Sequence, residues 1–212
     1  MRVLVLLSLL SVVACAEDVA KDKTAAVVTE APVAPIAPVA PVAAPAGPTT
    51  ELAVDKARSK IGALGAKITG SHDLSFGEFE GKVGVSGDAV SALSFTVQVG
   101  SLVADPEKLA NHLKSPDFFD TAAFPTATFT STEVKAAAVG EATHEVTGDL
   151  TLRGVTKRVT FPAKLTVTPG EVTGRAEFSI NRKDFGIVYP GKPDDLIQDN
   201  VVLTIDLTAP RA

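Results

Sequence analysis

The sequence predicts an all-β fold of antiparallel strands, and three observations carry that expectation. From Leu52 onward, short runs alternate apolar and polar residues, the period-two pattern of a strand with one buried face. Gly, Asp and Pro separate those runs, as turns between strands require. Only the segment after Asp105 reads as helix. Parallel sheets, buried on both faces, would instead give continuous apolar runs.

Eight strands are expected near Leu52–Arg58, Ile61–Thr69, Phe79–Ser86, Ala92–Val99, Thr126–Val134, His144–Arg153, Val155–Val167 and Glu171–Asn181, with Gln198–Thr208 as a ninth run. Two of the first three are readable as one bent strand. Leu93, Phe95, Val97 and Val99 share one face, as do Val159, Phe161, Ala163, Leu165 and Val167. Val172, Gly174, Ala176, Phe178 and Ile180 form a third such face, and Val201, Leu203, Ile205 and Leu207 a fourth. The helix is expected to open at Asp105-Pro106, with Asp105 capping backbone amides and Pro106 at the first helical position. It ends at Ser115-Pro116, since the residue before a proline is driven out of the α region. Leu109, Leu113, Phe118 and Phe119 give it an apolar edge, and Phe124-Pro125 leads into the next alternating run.

Many one-sided strands with a single helix leave a sandwich or a closed barrel. Closure removes the exposed strand edges that pair with other chains. An eight-stranded barrel is wide enough either to fill itself with side chains or to hold one small ligand. Gly84, Ala92, Ala127, Gly148, Gly174 and Ala176 are small where a filled barrel wants bulk. The same residues are also compatible with strand kinks or bulges. Phe95, Phe129, Phe161 and Phe178 fall on inward faces, where a side chain is both core and wall.

Arg2, the apolar run Val3 to Leu10, and Ser11 to Ala14 before Cys15 form a secretory signal of residues 1–14. The run is shorter than the ~20 residues that cross a bilayer. Leu10 to Cys15 resembles the bacterial lipobox, which implies that Cys15, the sole cysteine, receives a lipid and becomes the mature N-terminus. Ala16 in place of Asp favours, in a Gram-negative host, the outer membrane facing the periplasm. Residues 15–50 then form the lipidated terminus and an Ala/Pro-rich tether. From Thr24 to Thr50 almost no charge occurs, and Pro32, Pro35, Pro38 and Pro41 repeat every third residue, matching polyproline II. Two readings stand side by side: a semi-rigid spacer reaching on the order of 80 Å, and a disordered linker with no required length.

Residues 51–212 form one domain, large enough to bury roughly 70% of its unfolded surface without staples. With 17 Lys and Arg against 21 Asp and Glu it carries a net −4, which argues against a nucleic-acid partner. His72, His112 and His144 lack zinc-ligand spacing. No nucleophile elbow or Gly-rich phosphate loop occurs. Asp194, Asp195 and Asp199 lack the spacing of a Ca²⁺ loop and read as a polar turn. No metal, cofactor or catalytic residue is therefore expected.

The segment HLKSPDFFDTAAFPTATF (His112 to Phe129), followed by VTGDLTLRGVTKRVTFPAKL (Val146 to Leu165) and FSINRKDFGI (Phe178 to Ile187), resembles the YceI-like family from about Leu52 to Leu207. The resemblance implies an antiparallel eight-stranded, lipocalin-like barrel with a short helical insertion. It further implies non-enzymatic binding of a polyisoprenoid or other amphipathic lipid in an apolar cavity, for sequestration or transport in the bacterial envelope. On that reading the cavity wall comprises Phe95, Val97, Phe119, Phe129, Leu150, Leu152, Phe161 and Phe178. His112, Arg153 and Arg182 are the candidates to meet a head group, with solvated loop cations as the alternative. The chain departs from the family in having no Trp and only one Tyr, Tyr189, where family cavities often carry aromatics near the first strands; here that region reads KITGSHDLSFGEFEG (Lys67 to Gly81). The rival reading is a filled barrel acting as a structural or adhesion module that binds a protein partner. Beyond the lipid and the membrane, a homodimer is left open.

Overall fold

Alternation puts one face of each strand in water and the other inside, and the computed structural model, which describes residues 18–32 and 49–211, curls that one-sided sheet around itself into a barrel. The strands are β1 (Val27–Glu30), β2 (Thr50–Ala53), β3 (Lys60–Lys67), β4 (Gly70–Phe76), β5 (Phe79–Ser86), β6 (Ala89–Gln98) and β7 (Leu102–Ala104). The helix α1 (Glu107–Leu113) follows, then β8 (Thr126–Val139), β9 (Ala142–Leu152), β10 (Val155–Val167), β11 (Glu171–Asn181), β12 (Gly191–Lys192), β13 (Asp195–Leu196) and β14 (Asn200–Pro210). The signal segment, Cys15 and residues 33–48 of the Pro-rich stretch lie outside the described residues.

Neighbours in the wall run β2-β5-β6-β8-β9-β10-β11-β14-β3-β4-β7, all antiparallel, and β12–β13 forms a separate small hairpin. The curl brings the last strand beside an early one: β14 pairs with β3, Ile205 opposite Ile61. The chain after β2 closes the remaining seam, Val54 N–H donating to the Gly81 carbonyl (2.9 Å) and Asp55 N–H to the Thr208 carbonyl (2.8 Å). Register shifts at Gly84/Val85, Ser131/Glu133 and Ala136/Val139 supply local bends. The β9–β10 hairpin turns on Arg153 and Gly154, both at positive φ (50° and 73°), the combination of a two-residue type I′ turn.

The expected strands Phe79–Ser86, Val155–Val167 and Glu171–Asn181 keep their bounds, while Thr126–Val134 extends to Val139. Leu52–Arg58 is not one strand: β2 stops at Ala53, and Asp55 accepts from Ala57 N–H to start a 3₁₀ turn. The strand β4 was not expected. Pro106 sits at the cap position of α1, where Asp105 makes no side-chain cap bond. The helix therefore starts one residue later than the Asp-Pro pattern suggests, with Glu107 in its first turn.

The opening part of the stretch read as a tether is also not a spacer. It contains β1, which pairs with β10 from Val27–Thr160 to Glu30–Lys157. Pairing between β10 and β11 covers only Lys164–Val167 against Val172–Arg175. Toward the β9–β10 turn the two strands separate. The segment 24–30 enters that gap, Ala26 N–H donating to the Ser179 carbonyl (2.8 Å) and Ser179 N–H to the Thr24 carbonyl (3.0 Å). Ala26 and Val28 pack against the main core there.

That core gathers Val83, Val85, Val90, Val146, Val172 and Ala209 among its buried residues. A second cluster joins α1 to the wall through Leu102, Ala110, Leu113, Phe118 and Ile187. Glycine lets aromatic rings lie across neighbouring strands: a Cβ on Gly148 would stand 2.5 Å from the Phe129 ring and 2.6 Å from the Thr130 carbonyl oxygen. Gly148→Ala should therefore lower stability by about 1–3 kcal/mol through overpacking, read as a lower urea midpoint with an unchanged slope.

Candidate functional site

The inward faces do not meet. They enclose a cavity of about 270 Å³ with an almost wholly apolar wall, near the small end of the roughly 300–1,000 Å³ typical of ligand pockets. Inward residues of β14 and β10 line it at alternate positions, Leu203, Ile205 and Leu207 from the first and Ala163 and Leu165 from the second. All eight residues expected at the wall border this one cavity: Phe95 and Val97 on β6, Phe119 after α1, Phe129 on β8, Leu150 and Leu152 on β9, Phe161 on β10 and Phe178 on β11. Phe161 and Phe178 stack with centroids 4.1 Å apart and planes 10° apart, and Phe129 meets Phe161 at 5.6 Å. Of the small residues, Ala127, Gly174 and Ala176 line the cavity, while Gly148 makes room for Phe129 beside it.

The inward face of β4, with His72, Leu74 and Phe76, also lines the cavity. Sequence reasoning passed over it, although these three residues alternate with Ser71, Asp73 and Ser75. Lys67 and His72, both partly exposed, mark the end at which the cavity approaches solvent, beside Leu109 of α1 and Ile197. His72 Nδ1 lies 3.2 Å from the Asp105 carbonyl oxygen. Lys67 forms an ion pair with Asp195, which also accepts from the Thr69 backbone N–H (3.1 Å) and hydroxyl (3.0 Å). The Lys67 bond and then the Thr69 bonds hold the Asp195 carboxyl below the ordinary carboxylate range.

The three head-group candidates occupy different settings. His112 lies outside the cavity lining: its Nε2 is 3.1 Å from an Asp117 carboxylate oxygen, and its ring sits edge-on to Phe118 (5.0 Å) and Tyr189 (5.2 Å). Arg153 donates to the Gly186 carbonyl and to the Pro116 carbonyl (2.8 Å), tying the β9–β10 turn to the loops over the helix. Arg182 does border the cavity, yet all five of its N–H donors are occupied. Nε reaches the Gln198 carbonyl (3.0 Å), Nη1 the Ile187 and Tyr189 carbonyls (2.8 and 2.9 Å), and Nη2 the Ile197 carbonyl and Asp199 Oδ1 (both 3.3 Å). Burial lowers its pKa, opposed by Asp199. The head-group reading of Arg182 is thus corrected: an arginine whose donors are filled by its own loops positions the rim and has none to offer a phosphate. Among the described residues no three His, Cys, Asp or Glu side chains gather as a metal site.

A YceI-like domain matches residues 52–209 of the chain. The chain belongs to the YceI-like family. Relatives include a UPF0312 protein of Pseudomonas fluorescens (strain SBW25), 39% identical over 119 residues, covering 53% of this chain and 61% of that protein. Another, from Pseudomonas putida (strain W619), is 42% identical over 107 residues, 48% of this chain and 55% of that protein. The chain thus matches a little over half the length of these relatives. Among solved structures, the YceI-like barrel superposes on BcnA of Burkholderia cenocepacia with a TM-score of 0.65 at 25% identity, covering 74% of this chain and 99% of that one. A polyisoprenoid binding domain from Saccharophagus degradans shares the fold at a TM-score of 0.60 and 15% identity, covering 76% of this chain and 98% of that one.

Two outcomes are expected from the rim. Arg182→Met leaves four carbonyls without their donor and should cost on the order of 3 kcal/mol in urea unfolding, whereas Lys183→Met, at an exposed site, should change it little. Because Asp195 has a lowered folded pKa, its contribution is fully present above its unfolded pKa of about 4 and is lost as pH falls through the lower folded value. Below about pH 4 the wild type should therefore lose stability more steeply than Asp195→Asn, compared by urea midpoints along a pH series.

Proposed function

We propose that this protein binds the hydrocarbon part of an amphipathic lipid, a polyisoprenoid or fatty-acid-like chain, inside its barrel and performs no chemistry on it. The observation that carries the reading is the unfilled apolar interior, walled from β6 round to β4. An apolar chain entering it leaves water at about 0.8 kcal/mol per CH₂. A run of ~16 carbons gains on the order of 13 kcal/mol gross, part of it offset by ordering and association costs. Such binding selects for length and thickness rather than for a particular head group. The polar groups around the cavity favour binding over catalysis: Arg182 is occupied by its own loops, Lys67 by Asp195, and His72 faces a backbone carbonyl.

The unfilled interior also weighs against the rival of a solid barrel serving as an adhesion module. The shared fold with the polyisoprenoid binding domain from Saccharophagus degradans supports the same choice of ligand class. For location, the proposal is a lipid anchor at Cys15 after removal of residues 1–14, holding the protein at the outer membrane facing the periplasm. Sequestration and transport within the envelope are the roles this arrangement fits.

Fluorescent prenyl and fatty-acyl probes should bind the delipidated protein at one site per chain and be displaced by unlabelled prenyl chains. Ala63 is buried at the cavity wall, so Ala63→Phe should reduce probe affinity at least tenfold while unfolding stays cooperative. Absence of probe uptake by the wild type would count against the reading.

A further inference from the structure

Residues 18–30 are not free to lead away from the barrel. Asp18 accepts from the Asn200 side-chain amide (3.3 Å) and Val19 N–H donates to Gln198 Oε1 (3.1 Å). Ala20 is buried, and Lys23 forms an ion pair with Glu177 (2.8 Å). The chain then enters the gap between β10 and β11 as β1, and Glu30 pairs with Lys157. This segment precedes the family-matched region, which starts at residue 52. It is an addition to the barrel, seated along its wall.

Its attachment point is the cavity mouth. Gln198 N–H donates to the Ala66 carbonyl (2.8 Å), next to Lys67, and Ile197 borders the cavity. Beside them stand apolar side chains facing water: Ile68 at 49% exposure and Leu196 at 46%, joined by a bond from Ile68 N–H to the Leu196 carbonyl (3.1 Å). Val188, 62% exposed, lies in the loop whose Pro190 carbonyl accepts from Ile197 N–H. Of the charges nearby, Lys67 pairs with Asp195 and Lys183 with Asp199, while Lys192 and Asp194 stand exposed on the β12–β13 hairpin and balance in sign, so the apolar side chains set the character of this rim.

From these placements we infer that the mouth end of the barrel lies against the bilayer, apolar rim toward the lipid, with residues 18–30 as the strut that fixes this orientation. The inference rests on the proposed lipid anchor at Cys15. Three residue steps separate Cys15 from Asp18, a reach of at most about 11 Å. The anchor is therefore held close to the mouth. The Pro-rich stretch does not lengthen that distance, because it joins β1 to β2 and both are seated on the barrel. A hydrocarbon chain leaving the membrane would then pass from bilayer to cavity with little exposure to water.

The chain has no Trp, so a single introduced one reports its own surroundings. Full-length protein, lipid-modified in a bacterial host, is reconstituted in phosphatidylethanolamine–phosphatidylglycerol vesicles with bromine on part of the acyl chains. Leu196→Trp probes the mouth; Val139→Trp probes the opposite end, at the tip of the β8–β9 hairpin. Quenching at least twofold stronger at Leu196→Trp is expected, and it should fall when Val28→Asp and Glu30→Lys unseat β1. Equal quenching at the two positions, stronger quenching at Val139→Trp, or quenching unaffected by unseating β1 overturns the inference while leaving the anchor in place. Mass spectrometry of the N-terminal peptide separates the other failure: a chain without lipid at Cys15 overturns the anchor and this inference together.

Discussion

Small side chains on inward-facing positions hold the interior open, and the remaining features of the site depend on that constraint. Ala63, Ala66, Ala127, Ala163, Gly174 and Ala176 all border the cavity. Bulk at these positions would fill a barrel of this girth, as most small barrels fill themselves. Between them Phe129, Phe161 and Phe178 pack ring on ring, each on the same strand as one of these small residues: Ala127, Ala163 and Ala176. The stack itself needs Gly148, whose missing Cβ leaves room for the Phe129 ring. Rings set beside small residues along the same strands give an apolar volume whose shape is set by close packing rather than by a flexible surface.

The mouth is held by a different kind of interaction. The loop from Ile187 to Asp199 has little regular structure beyond the β12–β13 hairpin, and its carbonyls would be unsatisfied if buried without partners. Arg182 answers several of them at once from the end of β11. Arg153 does similar work for the Pro116 and Gly186 carbonyls. Two arginines that sequence reasoning offered to a ligand are used by the protein to shape the entrance. On the proposed function, specificity at this entrance would come from its width and apolar rim more than from charge.

The fold was legible where alternation was long and cleanly bounded, as in β5, β10 and β11. The wall residues were legible for the same reason, since period two assigns a face as soon as one residue is placed. The strand β4 escaped because its outward residues Ser71, Asp73 and Ser75, between Gly70 and Gly77, have turn composition. Its inward His72, Leu74 and Phe76 were the available signal. The partners of Arg182 had no local signature: they depend on where a loop fifteen residues downstream returns. The strand β1 was least legible, because Ala and Val before a proline repeat match an extended linker, and its acceptor edges exist only where β10 and β11 separate.

An open apolar interior and an N-terminal segment locked to its mouth fit the proposed function of a barrel that takes a hydrocarbon chain at a membrane surface. Native mass spectrometry of the protein purified without detergent, before and after solvent extraction, tests lipid binding most directly. One lipid per chain is expected, removed by extraction and restored by adding prenyl or fatty-acyl chains. A protein that is empty as purified and remains empty with those chains in excess would contradict the proposed function.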